Sequence, residues 1–457
     1  MANQNIYLEH GSTGLTRFGG QVSEEWLSDL RGTKGIKVYR EMRDNDPVIG
    51  SILFAIKMLI RQAAWRVELG GDSPADKEAA EFLESCLYDM SMTWHDTLTE
   101  ILSFLPFGWS YHEIVYKRRL GDSKDPTKRS KHNDGRIGWR KIPIRSQETL
   151  LRWVFDEEGG IQAMEQSGPP DYQLRTIPIQ KALLFRTEAT KNNPEGRSVL
   201  RNAYRPWYFK KNIEEIEGIG IERDLAGLPV ALVPPEILSP SATDEQKALL
   251  SSISAVVTSI RRDSEEGIIF PAEETTDLDG KTAKTGYKLH LLTSGGRRQF
   301  DTTEVIQRYE QRMAMTVLAD FIMLGHQKTG THSLGDNKTK MFSVAIGAFL
   351  DEIAEVFNAH AIPRLFALNS FPGLTALPEL VHGDVESPDL QELGEFIKSM
   401  NAAGFEIGKD EELENHLRGA ANLPLKPTEN RGEVKPTNGE PEETDDPEHA
   451  DPEDTME

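Results

Sequence analysis

One stretch constrains this chain more than any other. It opens at Asn193-Pro194-Glu195-Gly196-Arg197-Ser198, runs through Tyr204-Arg205-Pro206-Trp207 and Lys210-Lys211, and closes at Asp224-Leu225-Ala226-Gly227-Leu228-Pro229. A Gly/Pro loop starts a helix and a Gly-Leu-Pro stop ends it, so residues 205–226 are expected to form one rod of about 22 residues, roughly 33 Å long. Phe209, Ile213, Ile216 and Gly220 mark one face of that rod, while Glu214, Glu215, Glu217 and Glu222 crowd the other.

The remaining chain supplies room for two or three domains around it, with 457 residues. A formal charge of -22 argues against a protein that coats DNA, because neutralising phosphates needs clustered Lys and Arg. It suits a surface past which DNA moves without sticking. The single cysteine, Cys86, excludes an internal disulfide framework, suits a reducing cytoplasm, and reads as a small apolar residue on the helix around Phe82 and Leu83. Met1-Ala2-Asn3-Gln4-Asn5 leads into no apolar core, so no signal peptide is expected. No apolar run approaches the roughly 20 residues that span a bilayer. The protein is expected to be soluble and made in the cytoplasm.

Residues 1–45 read as mixed and irregular, with a short helix near 24–30. Asp46-Pro47 is a helix start, an N-cap carboxylate followed by proline at the first position. Ile49, Ile52, Leu53, Ile56, Leu59 and Ile60 follow at helical spacing. Trp65-Arg66-Val67-Glu68-Leu69 alternates like a strand, and residues 75–90 and 93–104 read as two amphipathic helices. Residues 108–116 read as one strand. They lead into the only strongly basic segment, 117–141, where ten Lys and Arg face three Asp, read as a long hairpin loop between two strands. A solvated loop fits it, as does contact with DNA or with a neighbouring acidic subunit.

Farther on, 152–155 and 182–185 are strand-like, 228–233 is a short strand stopped by Pro234-Pro235, and 243–261 is a helix in which Thr243 and Gln246 can form a capping box. Residues 267–271 and 287–292 read as strands. A second long helix is expected over 303–323, stopping at Leu324-Gly325. A third over 338–368 bends at Pro363, with apolar residues around most of its circumference, as in a helix buried on several sides. From Lys426 onward twelve acids face three bases among five prolines, a composition expected to be disordered.

None of this carries recognisable chemistry. The chain has no G-x-x-x-x-G-K-[ST], G-x-S-x-G, H-E-x-x-H or C-x-x-C, the spacings that cradle phosphate, sharpen a nucleophile or hold zinc. His112 and Glu113 are neighbours on a strand and point to opposite faces, so they do not share a metal. His326 and His332 lack a third ligand at useful spacing. Asp277-Leu278-Asp279-Gly280 lacks the later ligands of a calcium loop and reads as a tight turn. No enzyme activity, cofactor or metal is expected.

The order of segments over residues 40–424 resembles the tailed-phage portal family, the head-tail connector ring. The resemblance rests on Asp44-Asn45-Asp46-Pro47-Val48-Ile49-Gly50 through Ile60 and Trp65-Arg66-Val67, on the 193–229 stretch, and on Met323-Leu324-Gly325 before a polar Gly/Ser loop. It implies an α+β, helix-rich portal fold assembling into a ring. Its parts would be an N-terminal arm (1–39), a wing (40–204, completed by the long helix of 338–383), stem helices (205–226 and 303–324), a clip (227–302), a tunnel loop (325–337), a crown (384–424) and an acidic tail (425–457). The basic hairpin at 117–141 is not matched by the family.

The resemblance further implies a virion component that starts in the host cytoplasm, acts in genome packaging and ejection, and forms a homo-oligomeric ring, typically a dodecamer. Its partners would be the terminase large subunit, a head-tail adaptor, the major capsid and scaffolding proteins, and duplex DNA passing non-specifically. Channel residues would be Glu214, Glu217, Glu222, Lys328, Thr329, Thr331, Ser333, Asp336 and Lys338. Docking residues on the clip would be Glu245, Arg261, Arg262, Glu265, Glu266, Lys281 and Lys284. A DNA-processing enzyme and a structural adaptor of a large assembly are the alternative readings.

Overall fold

In the computed structural model, residues 11–226, 228–259, 268–271, 275–276, 282–283, 288–292, 301–316, 332–383 and 398–399 are described. The chain divides into two compact units, Met1–Glu386 and Ser387–Glu457. In the second, residues 398–399 are helical, and the rest of the expected crown and tail lies outside the described residues. Everything below concerns the first unit.

A small hairpin of β1 (Arg17–Phe18) and β2 (Gln21–Val22) precedes a 3-10 turn at Ser28–Leu30 and α1 (Gly32–Asn45). The region expected to be irregular therefore contains a 14-residue helix. It follows at α2 (Pro47–Gln62), where Asp46 accepts from Val48 N and Ile49 N at 3.0 Å each; such a cap is worth about 1 kcal/mol. Ile49, Ile52, Leu53, Ile56 and Ile60 are buried along the α2 face that the sequence pattern picks out. β3 (Trp65–Glu68) leads to α3 (Pro74–Tyr88), which opens with a Ser73/Asp76 capping box. Asp76 also receives Thr375 N at 2.9 Å and Thr375 Oγ1 at 2.7 Å. These bonds hold its carboxyl well below the usual range and tie the start of α3 to a segment 299 residues away.

α4 (Trp94–Ile101) and α5 (Phe104–Phe107) precede the strand region. The expected single strand is broken at Ile114 into β4 (Trp109–Glu113) and β5 (Val115–Arg118), which pair in different sheets. Ile114 is fully buried at the break. Alternation along β4 holds: His112 lies buried against Phe185, its ring nitrogens 3.2 Å from Ile142 O and Ser110 Oγ, while Glu113 pairs with Arg145 and Lys181. Burial pushes His112 down to about 4.

β6 (Ile137–Lys141) pairs antiparallel with β5, and β7 (Ile144–Arg145) with β4. β8 (Leu150–Phe155), β9 (Ile161–Ser167) and β10 (Leu174–Pro178) form an antiparallel meander, and β11 (Ala182–Arg186) closes on β4.

The loop between β5 and β6 is not a free basic arm. Lys117 is buried with its Nζ 2.9 Å from Asp89 Oδ2. Asp89 also accepts from Ser130 Oγ at 2.6 Å and Lys131 N at 2.8 Å. Arg119 is buried, bridges to Asp134 at 3.0 Å and stacks on Phe82. Two of the ten cations, Lys117 through Asp89 and Arg119 through Ser85 and Phe82, thus staple the hairpin to the end of α3, and each is ion-paired as a buried cation must be.

α6 (Tyr204–Ala226) then leads to β12 (Leu228–Val233) and α7 (Asp244–Ser259). The Thr243/Gln246 box forms, with Thr243 N to Gln246 Oε1 at 2.9 Å. β13 (Ile268–Pro271) lies parallel to β12, a pairing that needs a crossover, here α7. β14 (Thr275–Thr276) pairs with β15 (Thr282–Ala283), and β16 (Lys288–Leu292) runs antiparallel along the other edge of β12. Ala231, Val233 and Val257 make a small core with Ile253 and Ile269.

α8 (Thr302–Met315) leaves this module, and α9 (His332–Val356) returns to the large core. α9 starts six residues before the expected Lys338. It is not apolar all round in function: Phe342, Ile346, Leu350 and Ile353 are buried, whereas Met341 and Val344 are 58% and 74% exposed. A π-helical turn, Phe357–Ala361, joins it to α10 (Ile362–Phe366). Ile362 N–H donates to Phe357 O, one residue farther back than in an α-helix. The wider turn absorbs Pro363, which has no N–H to give. Finally β17 (Glu379–His382) pairs with β3, held by Asn358, whose side chain bonds both Leu380 N and Leu380 O.

Candidate functional site

α6 and α8 lie side by side and run in opposite directions. Phe209 stacks on Tyr309 with ring centroids 6.2 Å apart. One residue on, Lys210 Nζ meets Glu310 Oε1 at 3.0 Å. Farther along α6, Glu217 Oε1 accepts from Thr302 Oγ1 at 2.6 Å, so contacts that advance along one helix retreat along the other. Between them the chain makes the β12–β16 module, which therefore hangs from the far end of the pair.

At the near end the most deeply buried fastening is Lys210. Lys210 is 1% exposed, and its Nζ also reaches Asp46 Oδ2 at 3.2 Å and Glu214 Oε1 at 3.6 Å. Burial alone would lower this ammonium, but Glu310 and Asp46 outweigh it and hold the group above its ordinary value. The carboxylate that caps α2 is thus the one that anchors α6, and α8 joins through Glu310. Lys211, beside it, pairs with Glu41 at 2.6 Å and lies 5.6 Å from the Trp207 ring centroid. Sequence reasoning missed Lys210. The available signal was its position three residues after buried Trp207, on the side of the helix that packs against the body.

The loop that opens the stretch is equally fixed. Gly196 has φ +54, and a Cβ there would stand 2.2 Å from Gly108 O; Gly108 has φ +89, and its Cβ would stand 2.6 Å from Glu195 O. Ser198 Oγ donates to Pro106 O at 2.6 Å. Glu195 accepts from Trp153 Nε1 at 3.2 Å and faces a cavity of about 370 Å³ shared with Glu25, Arg31, Tyr39 and Arg201. Burial pushes its carboxyl up to about 7 against the Trp153 hydrogen bond.

The expected channel residues fall out unevenly. Glu214 is half exposed on α6, while Glu217 is partly buried against Thr302 and serves the helix pair. Glu222 is on α6 with its side chain outside the described residues. Lys328, Thr329 and Thr331 lie outside the described residues. Ser333, Asp336 and Lys338 stand on the first turns of α9 rather than in a loop or at its edge, their side chains outside the described residues. Of the docking candidates, Glu245 is exposed on the first turn of α7. Arg261, Arg262, Glu265, Glu266, Lys281 and Lys284 lie outside the described residues. Among the described residues no cluster of His, Cys, Asp and Glu could hold a metal ion.

A body, the antiparallel pair of α6 and α8 and an α/β module between them form a connectivity that can be compared with known proteins. The family described as the portal protein of Mu bacteriophage matches residues 36–417. The chain belongs to this phage portal family. Among solved structures, the neck of an empty gene transfer agent particle, computed with C6 symmetry, contains a chain similar over 91% of this one and 97% of its own length, at 11% identity and a TM-score of 0.51. A chain in the virion of a native gene transfer agent particle is similar over 88% and 95%, at 10% identity and a TM-score of 0.50. An HK97-family phage portal protein from Corynebacterium diphtheriae is similar over 74% and 92%, at 11% identity and a TM-score of 0.38. At these identities the first two likenesses speak for the fold, and they agree with the family in assigning this chain a portal fold, α+β and helix-rich.

Proposed function

We propose that copies of this portal chain, twelve in the working particle, close into a ring at one capsid vertex and form the conduit through which duplex DNA is packaged and later ejected. The observation that carries this reading is the antiparallel α6–α8 pair seated on the body through Lys210, with the β12–β16 module suspended beyond it. A helix pair that leaves a body, carries a small domain and returns can line a shared passage only if neighbours stand beside it. The outer side of α6 fits that demand: Ile216 and Ile219 are 69% and 50% exposed, more apolar surface than an isolated rod needs. Glu214 and Glu215 are exposed on the rod and take up Lys210 at 3.6 Å and Lys211 at 4.0 Å one turn back, so neither lysine stands as a bare cation for phosphate. That disfavours tight phosphate contacts and lets a duplex slide.

In this reading the β12–β16 module, with Glu245 on its exposed helix, docks the terminase large subunit during packaging and the head-tail adaptor afterwards. The body meets the major capsid and scaffolding proteins. Assembly starts in the host cytoplasm and ends in the virion. Electron microscopy of the purified full chain tests the reading. A ring with a central hole wide enough for duplex DNA is expected; a compact monomer with no passage at micromolar protein would overturn it.

A further inference from the structure

The basic segment 117–141 divides its ten cations. Carboxylates take up Lys117 through Asp89, Arg119 through Asp134, Lys128 through Asp125 at 3.3 Å and Arg136 through Glu78. The others have no carboxylate partner among the described residues. Arg118 and Lys131 bond only main-chain oxygens, Arg118 Nε to Gly135 O at 3.1 Å and Lys131 Nζ to Tyr88 O at 2.9 Å, which leaves their charge uncancelled. Lys124 and Arg129 are exposed and have no bonded partner among the described residues. All four stand on 118–131, where Asp122 is the one acid not matched to a cation.

These cations are carried on a fixed main chain. Gly121 N donates to His132 O at 2.9 Å, Ser130 N to Gly121 O at 3.0 Å and Lys128 N to Asp125 O at 3.0 Å. Asp89 at the end of α3 receives Ser130 Oγ and Lys131 N, and Asn369, just beyond α10, bonds both Ile137 N and Ile137 O at 2.9 Å. A polyanion meeting such a surface finds little backbone left to order. The lysines of α6 give the opposite picture, since Lys210 and Lys211 are both tied to carboxylates.

What the hairpin can bind follows from what it lacks. Leu120, 37% exposed, is the one large apolar side chain that stands out along 117–141. A protein partner seats on a desolvated core of apolar and aromatic groups. A phosphate backbone asks for positive charge, and its interfaces are polar and cationic. On a chain whose formal charge is -22, this end of the hairpin is a local exception to a field that otherwise turns DNA away.

We infer that the outer end of the β5–β6 hairpin is a second DNA contact, in which Arg118, Lys124, Arg129 and Lys131 hold phosphates of a duplex without reading its sequence. It is carried by α3 and α10 rather than by the α6–α8 pair. Phosphate contacts of this kind position a duplex and do not select it. The inference rests on the conduit reading for its ligand, and its test does not depend on a ring.

The test measures fluorescence anisotropy of a short labelled duplex with the dilute full chain across a salt series. The double variant Lys124→Ala/Arg129→Ala is expected to bind at least ~10-fold more weakly at low salt, and to flatten the slope of log K against log salt by about 2. Lys37→Ala/Lys77→Ala removes the same charge from exposed helix positions outside the hairpin and is expected to bind as the parent does. Asp122→Asn is expected to bind more tightly than the parent, a gain that damage to the fold would not give. All variants are expected to keep the parent's thermal midpoint and its assembly in sedimentation velocity. A parent that binds no duplex at low salt, or a hairpin variant that binds like the parent or like the Lys37/Lys77 control, would overturn the contact and leave the ring reading standing. So would a hairpin variant that loses assembly but keeps its affinity for DNA, which would assign the hairpin to contacts between copies. Micrographs without rings would strike the conduit reading and leave these affinities as measured.

Discussion

Lys210 Nζ lies 3.2 Å from Asp46 Oδ2, joining α6 to the N-cap of α2 across 164 residues of sequence. Both groups are buried, and Glu310 of α8 completes the arrangement. Removing the cation leaves carboxylates facing one another without compensation, a change that typically costs about 3–5 kcal/mol. Lys210→Met is therefore expected to lower the thermal midpoint strongly. Adding Asp46→Asn should return part of the loss, because asparagine still caps α2 while withdrawing one of the unpaired charges. Calorimetry on the two single variants and the double measures the coupling. Strictly additive losses would show that the pair does not hold α6 to the body.

The crossing of Gly108 and Gly196 makes a second expectation. Each has positive φ and each would drive a Cβ into the other's loop at under 3 Å. Gly196→Ala combines a strained backbone with a clash against main-chain atoms that have nowhere to move, so a loss of about 1–3 kcal/mol or more is expected. Urea unfolding checks it. Gly218→Ala, where nothing lies within 4 Å of the added carbon, is the matched control on α6 and is expected to be neutral or slightly stabilising.

How much of this was legible beforehand depends on whether a residue's role is local. Asp46-Pro47 and the Thr243/Gln246 box announce their helices because capping is a property of four adjacent residues. The rod of α6 was readable to within one residue for the same reason. α1 was not, since Arg31 offers no side-chain cap and Gly32 and Gly35 dilute the helical pattern. Lys210 showed no role in the sequence, because its partners Asp46 and Glu310 come from segments far away along the chain. The basic hairpin failed in the same way: charge counting sees ten cations, and only packing reveals that Asp89 and Asp134 have claimed Lys117 and Arg119.

Glu195 carries a pH signature. Burial raises its carboxyl to about 7 from an ordinary value of 4.5. Below 4.5 it is protonated whether the chain is folded or not. Between 4.5 and 7 the folded state keeps a proton that the unfolded state has lost, so the group's contribution to stability declines as pH rises and is gone above 7. Glu195→Gln keeps an acceptor for Trp153 and removes the titration. The variant is expected to match the parent near pH 4.5 and to be more stable at pH 8, as thermal midpoints measured across that range would show. Parallel curves for the two proteins would exclude a buried, late-ionising Glu195.

The last expectation separates the fold of one copy from the assembly of many. Ile216 is 69% exposed on α6, whereas Phe209 and Lys210 engage α8. In an isolated copy, Ile216→Asp touches almost nothing, and exposed substitutions of this kind stay within about 0.5 kcal/mol. Beside a neighbour's stem, the same aspartate would be buried without a partner and would add charge next to Glu215, so assembly should be lost while folding is kept. Paired measurements decide between these cases: an unchanged thermal midpoint for the dilute monomer, and particle mass by light scattering at assembling concentrations. A variant that forms rings of the parent's mass would place α6 away from the contacts between copies, and the proposed passage would then need walls other than the α6–α8 pair.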